Sequence, residues 1–529
     1  MSTVSLSGLQ TGIDTDAIVQ QLVSASSGTL NRLRARRTEW TARQEAFGTL
    51  RTRLEALQTA VEDIRTTADL RAYTTTSNDT DSLTLEAGPG AGEGAHDVVI
   101  NRLAAAERQV HTGLADLETL VGEGAFVYTY DGTTRTVQTT ADTTLEDLRD
   151  LINNDAGNPG VTASLLEYDA GAGQVYHLVL GGNNTGADYA VTVEDAQTTL
   201  DGTNGTVDFR TATFTETQSA QDAQVRIDGY PDGDWITRST NTINDILPGV
   251  TMHLHAATDA GESVRISINR DTEGLKEKVN AFVQAYNAAT DYIQEQTDYD
   301  EATGVAGILM GEYTTTHVRY LTRLPIIEAA PGFLDGTDPY TLAGEIGLSV
   351  DRYGTLELDE ETFDDALADD YLGVLNLFGA DRSGTSDSDA LSFYGATSAT
   401  EAGTYDVEAT FDGGTLVSAR IKGADEDAGA WRNATVDGNT IVGDTDHPEA
   451  ALRIVADYSG TGTVTAEVRV RQGLGGRLYE TLDDLLDPLD GPLANVDERC
   501  DSTLDSIEDS IERQEDRLDA MEQRLRSEE

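Results

Sequence analysis

The stretch that decides the fold of this chain lies near its N-terminus and reads NRLRARRTEWTARQEAFGTLRTRLEALQTAVEDIR over residues 31–65. Its apolar residues recur at alternating spacings of three and four, which keeps one stripe of a helix apolar. The seven-residue repeat consists of Leu33, Trp40, Phe47, Leu54 and Val61, and the positions between them hold Leu50, Leu57 and Ile64. Because such a stripe is typical of a coiled-coil seam, the stretch predicts a long helix packed against another helix.

The same spacing returns at the other end of the chain. Its apolar residues are Cys500, Leu504, Ile507, Ile511, Leu518, Met521 and Leu525. Because a helix buries such a stripe only against a partner, we expect the two ends to pack against each other or against neighbouring subunits. This pattern favours a part built for assembly over a ligand pocket.

The N-terminal helical region is predicted to span residues 14–68, with Asp14 or Thr15 as its N-cap and Gly28 as a candidate break. Between residues 31 and 53 arginine dominates the charge, against Glu39 and Glu45. The arginines are Arg32, Arg34, Arg36, Arg37, Arg43, Arg51 and Arg53. The acidic C-terminal helix is their expected complement, and a solvated helix face is the alternative.

The charge balance excludes several classes of partner. With 36 Lys and Arg against 94 Asp and Glu, the formal net charge is -58 at pH 7. This disfavours binding to nucleic acid, whose phosphates require basic side chains, and binding to anionic membrane surfaces. No apolar run approaches the roughly 20 residues that span a bilayer. The acidity is compatible with a high-salt habitat, or equally with an acidic secreted protein.

Cysteine content and the N-terminus narrow the setting further. The single cysteine, Cys500, excludes an intramolecular disulfide framework and a cysteine-based metal cluster. The first residues carry neither a basic segment nor an apolar core of the kind found in secretory signal peptides. Export by the general secretory route is therefore not expected.

The order of elements predicts an α+β multidomain protein. Both termini form an antiparallel helical or coiled-coil stem, and β-rich domains are inserted between them. The predicted divisions are residues 1–68 (N-terminal leg and stem helices), 69–270 (two nested β-rich domains), 271–382 (helical stem segment), 383–472 (inserted β domain) and 473–529 (C-terminal stem and leg helices). Within them we expect a hairpin at 126–137, a Thr-capped helix at 144–153, and helices at 272–296, 306–322 and 360–378.

Chemical motifs do not support an enzyme, a cofactor or a metal site. His253 and His255 share a strand face and would bind a metal only with a third ligand, so an ordinary strand pair is the stronger interpretation. Asp298 and Asp300 resemble the start of a calcium loop, but Leu309 stands where the loop requires Glu. Phosphate loops, dinucleotide fingerprints and nucleophile elbows are missing from the sequence.

Several segments resemble flagellar filament cap proteins, also called flagellar hook-associated protein 2 (the FliD family). The opening GLQTGIDTDAIVQQL at 8–22 is similar to the family's first motif and helix. The later segments, in the family's order, are QSAQDAQVRIDG at 218–229, STNTINDILPGVT at 239–251, FVQAYN at 282–287, GEIGL at 344–348 and LFG at 377–379. The resemblance covers most of the chain.

The resemblance implies a non-enzymatic function. Such proteins leave the cell through the flagellar type III route without a cleaved signal peptide. They form a ring at the extracellular filament tip, usually a pentamer, and promote folding and insertion of exported flagellin. The terminal helices would be legs and the β domains a plate. The implied partners are other copies of the chain, flagellin and hook–filament junction proteins, and some caps also act as adhesins.

The resemblance also suggests two sets of functional residues. Because the N-terminus precedes the stem, its residues are candidates for contact with other subunits or flagellin. They are Gly8, Leu9, Gly12, Ile13, Ile18 and Leu22. The predicted coiled-coil stem residues are Leu33, Trp40, Phe47, Leu50, Leu54, Leu57, Val61, Leu504, Ile507, Ile511, Leu518, Met521 and Leu525.

Two departures from the family pattern leave alternatives open. Residues 383–470 form an insertion that many relatives lack or keep short, and the sequence stops where relatives usually continue. The alternatives are another flagellar axial protein, namely a flagellin or a hook–filament junction protein, and a surface adhesin acting through the β domains.

Overall fold

The computed structural model describes residues 15–88, 90–169, 171, 173, 175–302 and 304–527. It divides into two compact units. The terminal unit comprises residues 1–71 and 272–529, and the central unit comprises residues 72–271. The chain therefore begins in the terminal unit, passes through the central unit and returns.

Helices dominate both ends of the sequence. In chain order they are α1 (Thr15–Ser26), α2 (Gly28–Glu62), α3 (Thr67–Leu70), α4 (Leu145–Asn153), α5 (Thr272–Thr297), α6 (Tyr313–Ile327), α7 (Glu360–Gly379), α8 (Leu474–Leu486) and α9 (Pro492–Ser527). Short 3₁₀ turns cover Thr211–Thr213 and Ala343–Ile346. The predicted N-terminal helix breaks at Ser27, one residue before the candidate Gly28.

The central unit is built from antiparallel strands. They are β1 (Tyr73–Ser77), β2 (Leu83–Ala87), β3 (Gly94–Arg102), β4 (Arg108–His111), β5 (Gly124–Tyr130), β6 (Thr133–Thr139), β7 (Val161–Glu167), β8 (Tyr176–Gly182), β9 (Thr192–Val193), β10 (Phe214–Gln218), β11 (Ala223–Ile227), β12 (Ile236–Arg238), β13 (Thr242–Ile243), β14 (Val250–Leu254) and β15 (Val264–Arg270). The sheets have the orders β1-β15-β3-β11-β12, β10-β4-β8-β7, β13-β14-β2 and β6-β5-β9.

Two separate hydrophobic cores fill the central unit. One core draws its buried residues from positions 121–209. The other draws them from positions 83–104 and 223–268, which come before and after the first set in the sequence. The predicted hairpin at 126–137 is confirmed by the pairing of β5 with β6. The predicted Thr-capped helix is confirmed as α4, where Thr144 accepts from the Asp147 N–H and Asp147 in turn bonds the Thr144 N–H.

The terminal unit also contains strands. They are β16 (Tyr299–Asp300), β17 (Val305–Ala306), β18 (Leu348–Val350), β19 (Leu356–Leu358), β20 (Asp381–Ser386), β21 (Leu391–Gly395), β22 (Gly403–Asp412), β23 (Thr415–Gly423), β24 (Arg432–Asp437), β25 (Thr440–Val442), β26 (Arg453–Ala456) and β27 (Gly462–Gln472). β16 and β17 form a hairpin, which is why α6 begins later than the predicted residue 306.

The last eight of these strands form one antiparallel sheet between α7 and α8. Its order is β20-β27-β22-β23-β24-β25-β26-β21. Along β22 alternate residues are buried, among them Tyr405, Val407 and Ala409, as the period of a strand with one covered face requires. This sheet has its own hydrophobic core.

A partly buried ion cluster joins β24 to the loops that follow β23 and β25. The Arg432 guanidinium donates to both carboxylate oxygens of Glu426, at 2.9 and 2.6 Å, and to Glu449, whose side chain is only 1% exposed. The hydrogen bonds from Arg432, and secondarily from the Gly423 N–H, lower the pKa of Glu426 to about 2. The charged form of Glu426 is therefore the one that the fold stabilises.

We expect Glu426→Gln to lower the melting temperature of the terminal unit near neutral pH. In acid we expect the difference between the variant and the unmodified protein to disappear. Because the pKa of Glu426 is lowered from 4.5 to about 2 on folding, its contribution is present above pH 4.5 and is lost as pH falls through about 2. Thermal unfolding of both proteins at several pH values, at constant ionic strength, measures the difference. A difference in melting temperature that stays constant down to about pH 2 would contradict the assignment.

Candidate functional site: the paired terminal helices

The two long terminal helices, α2 and α9, pack along each other. Arg34 lies 2.7 Å from Glu515, and Arg51 lies 2.6 Å from Asp497. Residue numbers thus rise along α2 as they fall along α9, so the two helices run antiparallel.

The apolar stripe of α2 is buried in two different ways. Its C-terminal half contributes Phe47, Leu50, Leu54, Leu57 and Val61 to a core shared with α5, α7, α8 and the start of α9. All five side chains are 2% exposed or less. We call this region the bundle zone. Residues buried so completely inside one chain are not available to bind another subunit.

In the N-terminal half of α2 the apolar stripe packs mainly against α9, and Trp40 also packs against the core of the bundle zone. There Leu30, Ile507 and Ile511 are buried, while Leu33, Trp40 and Leu518 are partly buried beside them. We call this region the two-helix zone. Elsewhere on α9, Leu504, Met521 and Leu525 are also partly buried. A two-helix contact leaves the flank of each stripe open, which explains the lower burial.

The predicted N-terminal contact residues lie mostly outside the described part of the chain. Gly8, Leu9, Gly12 and Ile13 belong to residues 1–14, and the Ile18 side chain is likewise outside the described residues. Leu22 is described and is 43% exposed on α1. Its neighbour on the same helix, Val19, is buried, and α1 packs against α9.

The arginines of α2 have several kinds of partner. Arg34 and Arg51 pair with acids of α9, which confirms the expected complementarity for these two residues. Arg43 pairs with Glu39 at 2.9 Å on its own helix. Arg53 lies over the Tyr292 ring, 5.2 Å from its centroid. Exposed ion pairs contribute only about 0–1 kcal/mol each to stability. The pairs of Arg34 and Arg51 with α9 therefore add little to the stability of the helix pair.

Some residues of the site were not predicted from the sequence. Leu30 stands three positions before Leu33 and continues the spacing of the stripe, so its role could have been found. Leu493 and Val496 extend the C-terminal stripe toward the start of α9. Cys500, which the sequence analysis did place in the apolar stripe, is buried in the same core, and burial raises the pKa of its thiol. This thiol therefore packs as a small hydrophobic side chain.

The suggested metal positions do not assemble into a site among the described residues. In the central unit His253 bonds the Thr242 hydroxyl at 3.2 Å, whereas His255 bonds the Thr84 hydroxyl at 2.9 Å. Groups of three or more metal-binding side chains were not found in the described ranges. Leu309, at the twelfth position of the candidate calcium loop, is fully buried. None of the described helices is long and apolar enough to cross a membrane.

Family models match three parts of the chain. The model described as Flagellar hook-associated protein 2 C-terminus matches residues 220–529. The model described as Flagellar hook-associated protein 2 N-terminus matches residues 11–107. Between them, the Flagellin hook IN motif matches residues 127–180. The first two models together include both helices of the paired site.

Individual relatives agree with these matches. The B-type flagellar hook-associated protein 2 of Pseudomonas aeruginosa is 26% identical over 397 residues, which cover 71% of this chain and 81% of the relative. Flagellar hook-associated protein 2 of Escherichia coli K12 is 26% identical over 392 residues, covering 71% and 80%. The crystal structure of the flagellar cap protein FliD D1-D2-D3 domains from Escherichia coli superposes with a TM-score of 0.52 at 25% identity, covering 63% of this chain and 90% of that one.

Proposed function

This chain belongs to the flagellar hook-associated protein 2 (FliD) family, and we propose that it is a non-enzymatic cap of the flagellar filament. Copies of the chain form a ring at the filament tip, a pentamer as the resemblance implies. The ring holds exported flagellin while it folds and inserts. The observation that carries this proposal is the pair of family matches that include both terminal helices, α2 and α9.

The paired terminal helices supply the leg of the proposed cap. In the bundle zone the stripe of α2 is closed inside one chain, which supports its assignment as the stem in this proposal. In the two-helix zone and on α1, apolar side chains such as Trp40 and Leu22 are only partly covered. A subunit or a flagellin end that packs there would bury the remaining apolar area. Gly8, Leu9, Gly12, Ile13 and Ile18 are proposed as further contacts with the partner.

The β-rich parts supply the plate in this proposal. The central unit, with its two hydrophobic cores, and the eight-stranded sheet at 381–472 of the terminal unit, with its own core, would each contribute to this plate. The chain acts outside the cell, after export by the flagellar type III route. Its partners are other copies, flagellin and the hook–filament junction proteins. Bonds are neither made nor broken in this role, so it requires no catalytic residue.

We expect Leu22→Asp to shorten filaments, because a carboxylate at a partly covered apolar contact must be desolvated when the partner binds. Filament length, swimming distance and flagellin released into the medium would be measured in a strain whose only cap gene is the variant. Leu9→Asp is expected to have the same effect.

Leu489→Asp is the matched control for Leu22→Asp. Leu489 is 82% exposed between α8 and α9, so its replacement introduces the same carboxylate outside the leg. Filaments should then be of normal length. Normal filaments with Leu22→Asp and Leu9→Asp alike, at normal protein levels, would contradict the leg assignment.

A further inference from the structure

A small basic pocket lies on the terminal unit beside α6. It has a volume of about 370 Å³ and is enclosed by α6, the end of α5 and the turn between β18 and β19. Three arginines line it, Arg319, Arg323 and Arg352, together with Tyr320 and Tyr353. Arg319 and Arg323 are four residues apart on α6, so their side chains leave the helix on one face.

The three arginines have no ion-pair partner among the described residues, although the chain is strongly acidic. The Nε of Arg323 is buried and has no hydrogen-bond partner. The Arg352 guanidinium lies over the Tyr353 ring at 4.5 Å and donates to its hydroxyl. Asp298 also lines the pocket, but it forms no ion pair with these arginines.

Arginines without an ion-pair partner are unexpected in a chain of this composition. Acidic residues outnumber basic ones by 94 to 36, and arginines elsewhere commonly find a carboxylate, as Arg477 does with Glu328 at 2.5 Å. A buried donor without an acceptor, such as the Arg323 Nε, destabilises the fold unless a bound group supplies the acceptor. Three guanidinium groups gathered around one cavity therefore form a site prepared for an anionic group, since guanidinium pairs with carboxylate through two parallel hydrogen bonds.

We propose that this pocket receives carboxylate side chains from a second copy of the chain. Arginine and tyrosine are the residue types that concentrate binding energy at protein interfaces. Each copy carries a formal net charge of -58, so copies repel one another at long range and a stable ring requires local attraction. A basic pocket that meets an acidic surface supplies that attraction. The inference rests on the proposed ring and names one of its contacts.

Zero-length cross-linking tests the occupant directly. Arg319→Lys with Arg323→Lys keeps the positive charge and introduces amines that a carbodiimide couples to a touching carboxylate. Few native amines compete, because the chain has three lysines, Lys276, Lys278 and Lys422. Two of them contact acids of the same chain, Asp364 and Asp406, so their cross-links are expected within one copy. An equal mixture of ¹⁴N- and ¹⁵N-labelled full-length protein distinguishes contacts within a copy from contacts between copies.

We expect cross-linked peptides of mixed isotope from position 319 or 323. Arg453→Lys, an exposed arginine on β26, is the control and should give none. Peptides of a single isotope only, or no cross-links from positions 319 and 323, would overturn the inference. Cross-links that form only when flagellin is added, and that lead to flagellin, would also overturn it by assigning the pocket to that partner.

A charge reversal tests the same contact without chemical cross-linking. Arg319→Glu should raise the protein concentration needed for half-maximal ring assembly at least about tenfold, with a smaller increase at high salt where the charges are screened. Arg453→Glu makes the same change in charge outside the pocket and should leave assembly unchanged. Subunit counts by mass photometry and circular dichroism of each variant report assembly and folding.

The outcomes separate the two proposals. If the unmodified protein assembles into rings and Arg319→Glu assembles equally well, the pocket is not an interface and the proposed cap function stands. If the unmodified protein forms no oligomer at any concentration, with or without flagellin, the proposed ring fails and the pocket inference fails with it.

Discussion

Replacing Leu54 with alanine is expected to lower the free energy of unfolding of the terminal unit by about 2–5 kcal/mol, the range for leucine truncation in a packed core. Leu54 is 1% exposed and lies in the bundle zone, where α2, α5, α8 and α9 meet. Since these helices surround the site, they close only partly around the lost methyl groups, and a cavity remains. The loss of helical circular dichroism on heating measures the change.

Leu33→Ala is the matched control, with the same side chain truncated on the same helix. Leu33 lies in the two-helix zone and is only partly buried. Because part of its surface is already in water, less transfer energy is lost and no closed cavity forms, so we expect a cost below about 1 kcal/mol. Equal costs at the two positions would mean that α2 is buried evenly along its length, contrary to the two zones described here.

The difference between these zones also bears on the proposed cap. In the proposed cap a stem would benefit from a closed core, and the bundle zone has such a core within a single chain. A leg that must exchange partners as the filament grows benefits from incomplete burial. Leu54 and Leu33 thus belong to one sequence repeat but are buried to different extents.

The sequence repeat could predict the helices but not how many neighbours each part of a helix would have. Leu33 and Leu54 occupy equivalent positions in the stripe, and their different burial depends on where α5 and α8 pack. Local signals were more reliable. Thr144 and Asp147 form a capping box that any reader of the sequence could identify, since the contacts lie within four residues.

The basic pocket illustrates what the sequence could not predict. Arg319 and Arg323 share a helix face and could be recognised as a pair. Arg352 lies on a different element, the turn between β18 and β19, and only the packing of that turn beside α6 brings the three residues together. That these three arginines form no ion pair with the described residues is likewise a three-dimensional property, because Asp351 stands next to Arg352 in the sequence.

Gly475→Ala is expected to destabilise the terminal unit by about 3 kcal/mol, the upper end of the usual cost of overpacking. Gly475 lies in the first turn of α8, where this helix approaches the chain that leaves α2. A methyl group there would overlap the Ile64 carbonyl oxygen and would lie 3.1 Å from the Arg65 Cα. Because these are backbone atoms, the clash is relieved only by moving α8 away from the end of α2. Thermal unfolding would detect the loss.

Gly476→Ala provides the control at the adjacent position of the same helix. The nearest atom to its added methyl group would be the Gln472 Cγ at 3.6 Å, an ordinary van der Waals contact. Alanine also favours a helix over glycine by about 1 kcal/mol, so this variant should be neutral or more stable. Comparing the two variants distinguishes the effect of a close backbone contact, at Gly475, from the effect of helix propensity, at Gly476. Similar melting temperatures for the two variants would show that the contact between α8 and the end of α2 does not limit the stability of the unit.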